Sequence, residues 1–228
     1  MKNKDKKLDI KCITKAGSSL QCMIFEHMKN IYDVNSIRFK RIKPPSHGEW
    51  LQDVMAADIV ILRNPVNRMI STYYSLGWTH QTDNFKKDNI EQREEIKSTT
   101  LGEWITSAGR LRNVGNVYNS ILEVKQDSIM RYEDIMDNGK GYLHLILKKI
   151  GRLDLLDILW DRYSSSFDFT NKDQSDSIYN GESMAHRRNL DHKEYLHKLN
   201  NKQLEIIYNE MGDIIHRYNG LRNRIPIK

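Results

Sequence analysis

The chain has 228 residues, 39% apolar and 29% charged, which excludes a disordered polypeptide and leaves room for the core of one domain spanning 1–228. Lys and Arg number 36 against 30 Asp and Glu, but the cations are interleaved with acids and no reader motif is present, so nucleic-acid binding is excluded as the main role. No apolar run reaches the roughly 20 residues that span a bilayer, the polar start Met1–Lys7 does not fit a signal peptide, and two unclustered cysteines suit a reduced, metal-free cytoplasmic protein with no transmembrane segment.

In chain order, Leu8, Ile10, Cys12 and Ile13 read as a first strand, a tight loop follows, and Leu20, Met23, Ile24 and Met28 keep helical spacing. Ser36 to Ile42 reads as a second strand, stopped by Pro44-Pro45, with Ser46 to Trp50 expected as loop. Ala56 to Leu62 is apolar except for Asp58 and predicts a parallel strand covered on both faces. Asn64-Pro65 supplies an N-cap and an N1 proline for a helix carrying Val66, Met69, Ile70 and Tyr73. Residues 78–99 are dense in charge and lack an apolar stripe, which predicts a loosely packed, mobile insertion.

Thr100 with Glu103 makes a capping box for the next helix. Ser128 to Tyr132 predicts another strand, and Leu143, Ile146, Leu147 and Ile150 a helix closed by Gly151. Ser164 to Ser183 reads as a polar loop, and Leu204, Ile207, Tyr208, Met211, Ile214, Ile215 and Tyr218 mark one face of a final helix. Strand, loop and helix alternate, so the expected class is α/β: a P-loop-like three-layer domain with a central parallel sheet flanked by helices.

Two segments carry the chemistry. Lys15-Ala16-Gly17-Ser18-Ser19-Leu20 joins a strand to a helix, where backbone N–H groups meet an anion, Gly17 permits close approach, Ser18 and Ser19 can cap the helix, and Lys15 adds a mobile charge. Lys15 precedes the glycine, so the order of a Walker loop is not met. The second segment, Arg63-Asn64-Pro65, leads into a helix that carries Ser71 eight positions after Arg63.

Lys-x-Gly-Ser-Ser after a first strand, then Arg-Asn-Pro with Ser eight positions on, resembles the sulfotransferase family, which uses 3′-phosphoadenosine 5′-phosphosulfate (PAPS). Met130-Arg131-Tyr132-Glu133-Asp134 is similar to the family's Arg-Tyr-Glu-Asp, and the segment from His186 to Gly220 resembles its closing segment, with Arg188 fifteen positions before Gln203. The resemblance implies that Lys15 to Leu20 hold the 5′-phosphosulfate, that Arg63 and Ser71 hold the 3′-phosphate with Arg188 or the adjacent Arg187, and that Tyr132 stacks on adenine. Lys15 is then the catalytic cation, stabilising charge on the departing oxygen.

An acceptor hydroxyl also needs a base. His47 has a suitable side chain and lies between the two nucleotide segments, although the family's Lys-Thr-His-x-Pro is replaced here by Lys43-Pro44-Pro45-Ser46-His47-Gly48; Glu26 and Glu49 are the alternatives. The expected enzyme transfers a sulfuryl group from PAPS to a hydroxyl, less readily an amine, of a small or carbohydrate acceptor, releases adenosine 3′,5′-bisphosphate (PAP), and uses no metal. The rivals are a nucleotide kinase of related fold and a non-catalytic PAP-binding protein.

Overall fold

The computed structural model describes residues 7–43, 49–79, 87–167, 178–179, 182–183 and 194–225. Their elements are β1 (Leu8–Ile13), α1 (Ser18–Tyr32), β2 (Ile37–Ile42), α2 (Glu49–Ala56), β3 (Ile59–Leu62), α3 (Pro65–Tyr74), α4 (Lys87–Ser98), α5 (Leu101–Thr106) and α6 (Ala108–Lys125). Then come β4 (Ile129–Arg131), α7 (Tyr132–Asp137), α8 (Gly139–Ile150), α9 (Leu156–Tyr163), a short hairpin of β5 (Ile178–Tyr179) and β6 (Glu182–Ser183), α10 (Glu194–Lys198) and α11 (Asn201–Asn219). Two compact units divide the chain: Met1–Arg63 with Asn119–Asp168 and Gly220–Lys228, and Asn64–Tyr118 with Phe169–Asn219.

The first unit is an α/β sheet flanked by helices, as the alternation of elements predicts. Its four strands are all parallel, in the order β2-β1-β3-β4. β1 pairs along its whole length with β2, from Leu8 opposite Ile37 to Ile13 opposite Ile42. On its other side Ile10 to Cys12 pair with Ile59 to Ile61, and Val60 to Leu62 in turn pair with Ile129 to Arg131. Every residue of β3 is buried, which is why Ile59-Val60-Ile61-Leu62 is continuously apolar, whereas the edge strand β2 carries Arg38, Lys40 and Arg41 outward. From β1 the chain passes to β2 on one side and later to β3 on the other, so the strand order reverses between β1 and β3. In open α/β sheets the crevice at the carboxyl ends of two such strands is where ligands bind.

Polar groups set the limits of these elements. The Asp58 carboxylate accepts the Asp9 backbone N–H at 2.9 Å, and Asp9 pairs with the buried Lys11 ammonium at 2.7 Å. This accounts for the one acid in the third apolar run, and it shortens the strand: β3 begins at Ile59, while Ala56 closes α2. Glu49 and Trp50 accordingly belong to a helix and not to the expected loop. Similarly, β4 ends at Arg131, and Tyr132 opens α7 instead of ending a strand. Gly151, at φ 71°, closes α8 as its position predicts.

Among its described residues the second unit is mainly helical. Asn64 caps α3, its side chain accepting the Val66 and Asn67 N–H groups, with Pro65 at the first helical position. The capping box also forms: Thr100 Oγ1 accepts the Glu103 N–H at 3.3 Å, and Glu103 Oε2 accepts the Thr100 N–H at 2.9 Å. Val66, Ile70, Ile96, Trp104, Ile207 and Met211 belong to one core cluster. Ile96 corrects the expectation of weak packing across 78–99, because its helix α4 buries it completely and Arg93 donates to the Gly77 carbonyl at 2.9 Å. The end of the polar stretch from Ser164 also differs from a plain loop, since it includes β5 and β6. On α11 the apolar face is narrower than its seven apolar positions, with Ile207, Met211, Ile215 and Tyr218 buried and Tyr208 exposed.

Candidate functional site

The carboxyl ends of β1, β3 and β4 bring three sequence segments together. Because Ile61 lies opposite Cys12 and Leu62 opposite Arg131, the residues that follow each strand emerge side by side: the loop 14–17, Arg63 and Tyr132. The register therefore gathers Lys15, Gly17, Arg63 and Tyr132 within the first unit.

The loop has two residues in the left-handed region. Lys15 has φ 71° and Gly17 φ 74°, while Ala16 between them is not left-handed. Such alternation makes a tight turn, and the backbone N–H groups that it leaves uncapped are those that open α1. Glycine takes a positive φ at no steric cost, but lysine rarely does, so the surrounding structure has to hold Lys15 in place. Several contacts do so. The Ala16 N–H donates to the Ile13 carbonyl at 3.1 Å, the Thr14 N–H to the Ile42 carbonyl at 3.0 Å, and the Cys12 thiol to the Ala16 carbonyl at 3.2 Å.

Gly17 is itself the N-cap of α1 and has no side chain with which to satisfy the helix's first N–H groups. Ser18 and Ser19 were expected to cap, but they are the first two helical residues. The cap must be left-handed here, a conformation that favours glycine over serine. The consequence is an uncapped amino end of α1, where the helix dipole favours an anion.

Arg63 and Tyr132 brace this loop. The Arg63 guanidinium is buried, donates from Nη1 to the Lys15 carbonyl at 3.4 Å, and lies 5.4 Å from the Tyr132 ring centroid. The Tyr132 ring packs so tightly on Gly17 that a Cβ there would come within 2.5 Å of Cε2. Tyr132 thus has a place in the loop's support, a role that its helix-opening position provides. The neighbouring Arg131 turns away, its Nε donating to Asp134 Oδ2 at 2.8 Å.

The remaining described candidates lie on helices. Ser71 lies on α3 in the second unit, half-buried. Leu20 is buried on α1. Glu49 opens α2 and is exposed. Glu26 is exposed on α1, about 10 Å beyond Ser19 at 1.5 Å per residue, and accepts the Cys22 thiol at 3.0 Å. His47, Arg187 and Arg188 lie outside the described residues.

Three structural participants escaped the sequence reading. Cys12 braces the loop through its thiol, and only the loop's turn brings the Ala16 carbonyl to it. Burial pushes that thiol far above its ordinary range, so it stays protonated and a donor. Gln21 is fully buried on α1 and accepts the Tyr142 hydroxyl at 2.6 Å, fastening the start of α1 to α8. Gln203, from which Arg188 was counted, has a capping role: its Oε1 accepts the Asn200 N–H at 3.0 Å while Asn200 Oδ1 accepts the Gln203 N–H at 3.0 Å. The pattern Asn200-x-x-Gln203 was the available signal.

Among the described residues no helix is long and apolar enough to cross a membrane. No family model matches the chain, and neither a curated protein nor a solved structure matches it.

Proposed function

We infer that the chain is a sulfotransferase that binds PAPS at the carboxyl ends of β1 and β3 and transfers its sulfuryl group to an acceptor hydroxyl. The observation that carries this reading is the left-handed pair Lys15 and Gly17 at the sheet's reversal point, with the Arg63 guanidinium on the Lys15 carbonyl. Backbone N–H groups at the uncapped start of α1 suit a polyanion, and Lys15 adds a cation for the charge that grows on the leaving oxygen. Arg63 is a planar, permanently charged donor beside the loop, suited to a second phosphate. The sequence of Lys before Gly, and the spacing of Ser71 from Arg63, favour this donor over ATP.

Release of PAP from PAPS in the presence of a panel of phenolic and sugar acceptors tests the reading. The wild type should turn PAPS over, and Lys15→Ala should lose rate by more than it loses affinity for PAP, because its charge acts on the transition state. A Lys15→Ala variant that loses rate and PAP affinity equally would speak for a purely binding role. ATP consumption with magnesium in place of PAPS would move the reading to a kinase.

A further inference from the structure

Helix α1 carries a second feature besides the anion loop at its start. Ser19, Cys22, Met23, Glu26 and His27 stand at i, i+3, i+4, i+7 and i+8, one stripe along the helix. They line a groove of about 410 Å³, which Arg41 from the end of β2 and Arg162 and Tyr163 from the end of α9 complete. A volume of this order is in the range of small-molecule sites. The groove begins at Ser19, one residue into α1, and runs about 12 Å to His27.

The charges in the groove are unbalanced. Among the described residues neither Arg41 nor Arg162 has a carboxylate within ion-pair distance. Arg41 reaches the Cys22 thiol, and Arg162 lies 5.9 Å from the Tyr163 ring centroid. The one acid, Glu26, takes the hydrogen of the Cys22 thiol at 3.0 Å. Burial, then the nearby Arg162 charge, hold His27 below its ordinary value of 6.5, so the imidazole is neutral at pH 7. Its Nε2 is shielded and has no hydrogen-bond partner among the described residues. Among the described residues the groove thus presents two guanidinium forks against one carboxylate, with Met23 and Tyr163 as apolar wall.

We propose that this groove is the acceptor subsite and takes a ring-sized molecule bearing a carboxylate, its anion on Arg41 and Arg162 and its reacting end toward Ser19. Guanidinium forks match a planar carboxylate bidentately, and the apolar wall suits a ring face. The acceptor role rests on the sulfotransferase reading, whereas the recognition of a carboxylate rests on the groove alone.

Calorimetry with p-nitrophenyl β-D-glucuronide, its neutral glucoside counterpart and inorganic sulfate tests the proposal, with PAP titrated into the same protein. The glucuronide should bind at least tenfold more tightly than the glucoside and than sulfate, and Arg41→Gln with Arg162→Gln should erase that preference while PAP affinity stays within about threefold. Both arginines are exposed, so the variant folds, and unchanged PAP binding shows it. Equal binding of glucuronide and glucoside, competition by sulfate at equal concentration, or a preference that survives the double variant would overturn the proposal and leave the PAPS reading intact. Absence of PAP binding by the wild type would overturn the PAPS reading, and the acceptor role with it.

Discussion

Replacing Gly17 with alanine should destabilise the loop through two separable effects. Gly17 sits at φ 74°, where a Cβ costs about 1–2 kcal/mol. That Cβ would also lie 2.5 Å from Tyr132 Cε2 and 2.9 Å from Cδ2, an overpacking of the kind that costs about 1–3 kcal/mol. The sum is about 2–5 kcal/mol, read as a lower urea midpoint. In a Tyr132→Ala background the steric part disappears and only the backbone part remains, so a double-mutant cycle should show a coupling of about 1–3 kcal/mol. The ring that would be displaced lies beside the Arg63 guanidinium, so PAP affinity should fall at least tenfold in Gly17→Ala. A Gly17→Ala protein within about 0.5 kcal/mol of wild type, or an equal cost in both backgrounds, would refute the reasoning.

Alkaline pH should weaken the first unit. Burial raises the Cys12 thiol above its ordinary value of 9.0 and the Tyr142 hydroxyl well above 10.0, so the unfolded chain gives up these protons first. The stability that their neutral forms provide is complete below about pH 9 and is lost as pH climbs toward the raised folded values; urea midpoints should fall from pH 9 upward, with Cys12→Ala removing the earliest part, and a flat profile to pH 10.5 would contradict the assignment. In the second unit, Thr100→Ala removes the cap on the Glu103 N–H and should cost about 1 kcal/mol in urea unfolding, with PAP affinity unchanged.

Residues that act locally were the legible ones. Asn64-Pro65, Thr100 with Glu103, and Gly151 each satisfy backbone groups within a few positions, so residue type and spacing suffice to place them. Strand β3 was readable from its unbroken apolar run, and β1 from apolar residues at alternate positions. Helix α2 is short, but its apolar residues Trp50, Leu51, Val54 and Met55 keep helical spacing, and that signal was available beside the Pro44-Pro45 stop. Helix α4 was hidden, because its charged surface masks the burial of Ile96 and Arg93 and leaves no apolar stripe.

At the candidate site the residue types of the loop were visible, but their conformation was not. A positive φ at Lys15 depends on the Arg63, Cys12 and Ile13 contacts, which are long-range or turn-dependent. The place of Tyr132 on Gly17 depends on the register of β3 and β4. The groove along α1 needs β2 and α9 beside it, and no spacing in the chain announces that.

If the start of α1 and Arg63 receive a nucleotide with two separate phosphate groups, calorimetric titration of the wild type and Arg63→Ala should distinguish PAP from AMP. The wild type should bind PAP at least tenfold more tightly than AMP, and Arg63→Ala should lose at least tenfold on PAP while changing AMP much less, since a charged hydrogen bond contributes about 1.5–3 kcal/mol. Equal affinity of the wild type for PAP and AMP, or an Arg63→Ala protein that binds PAP as the wild type does, would contradict the account.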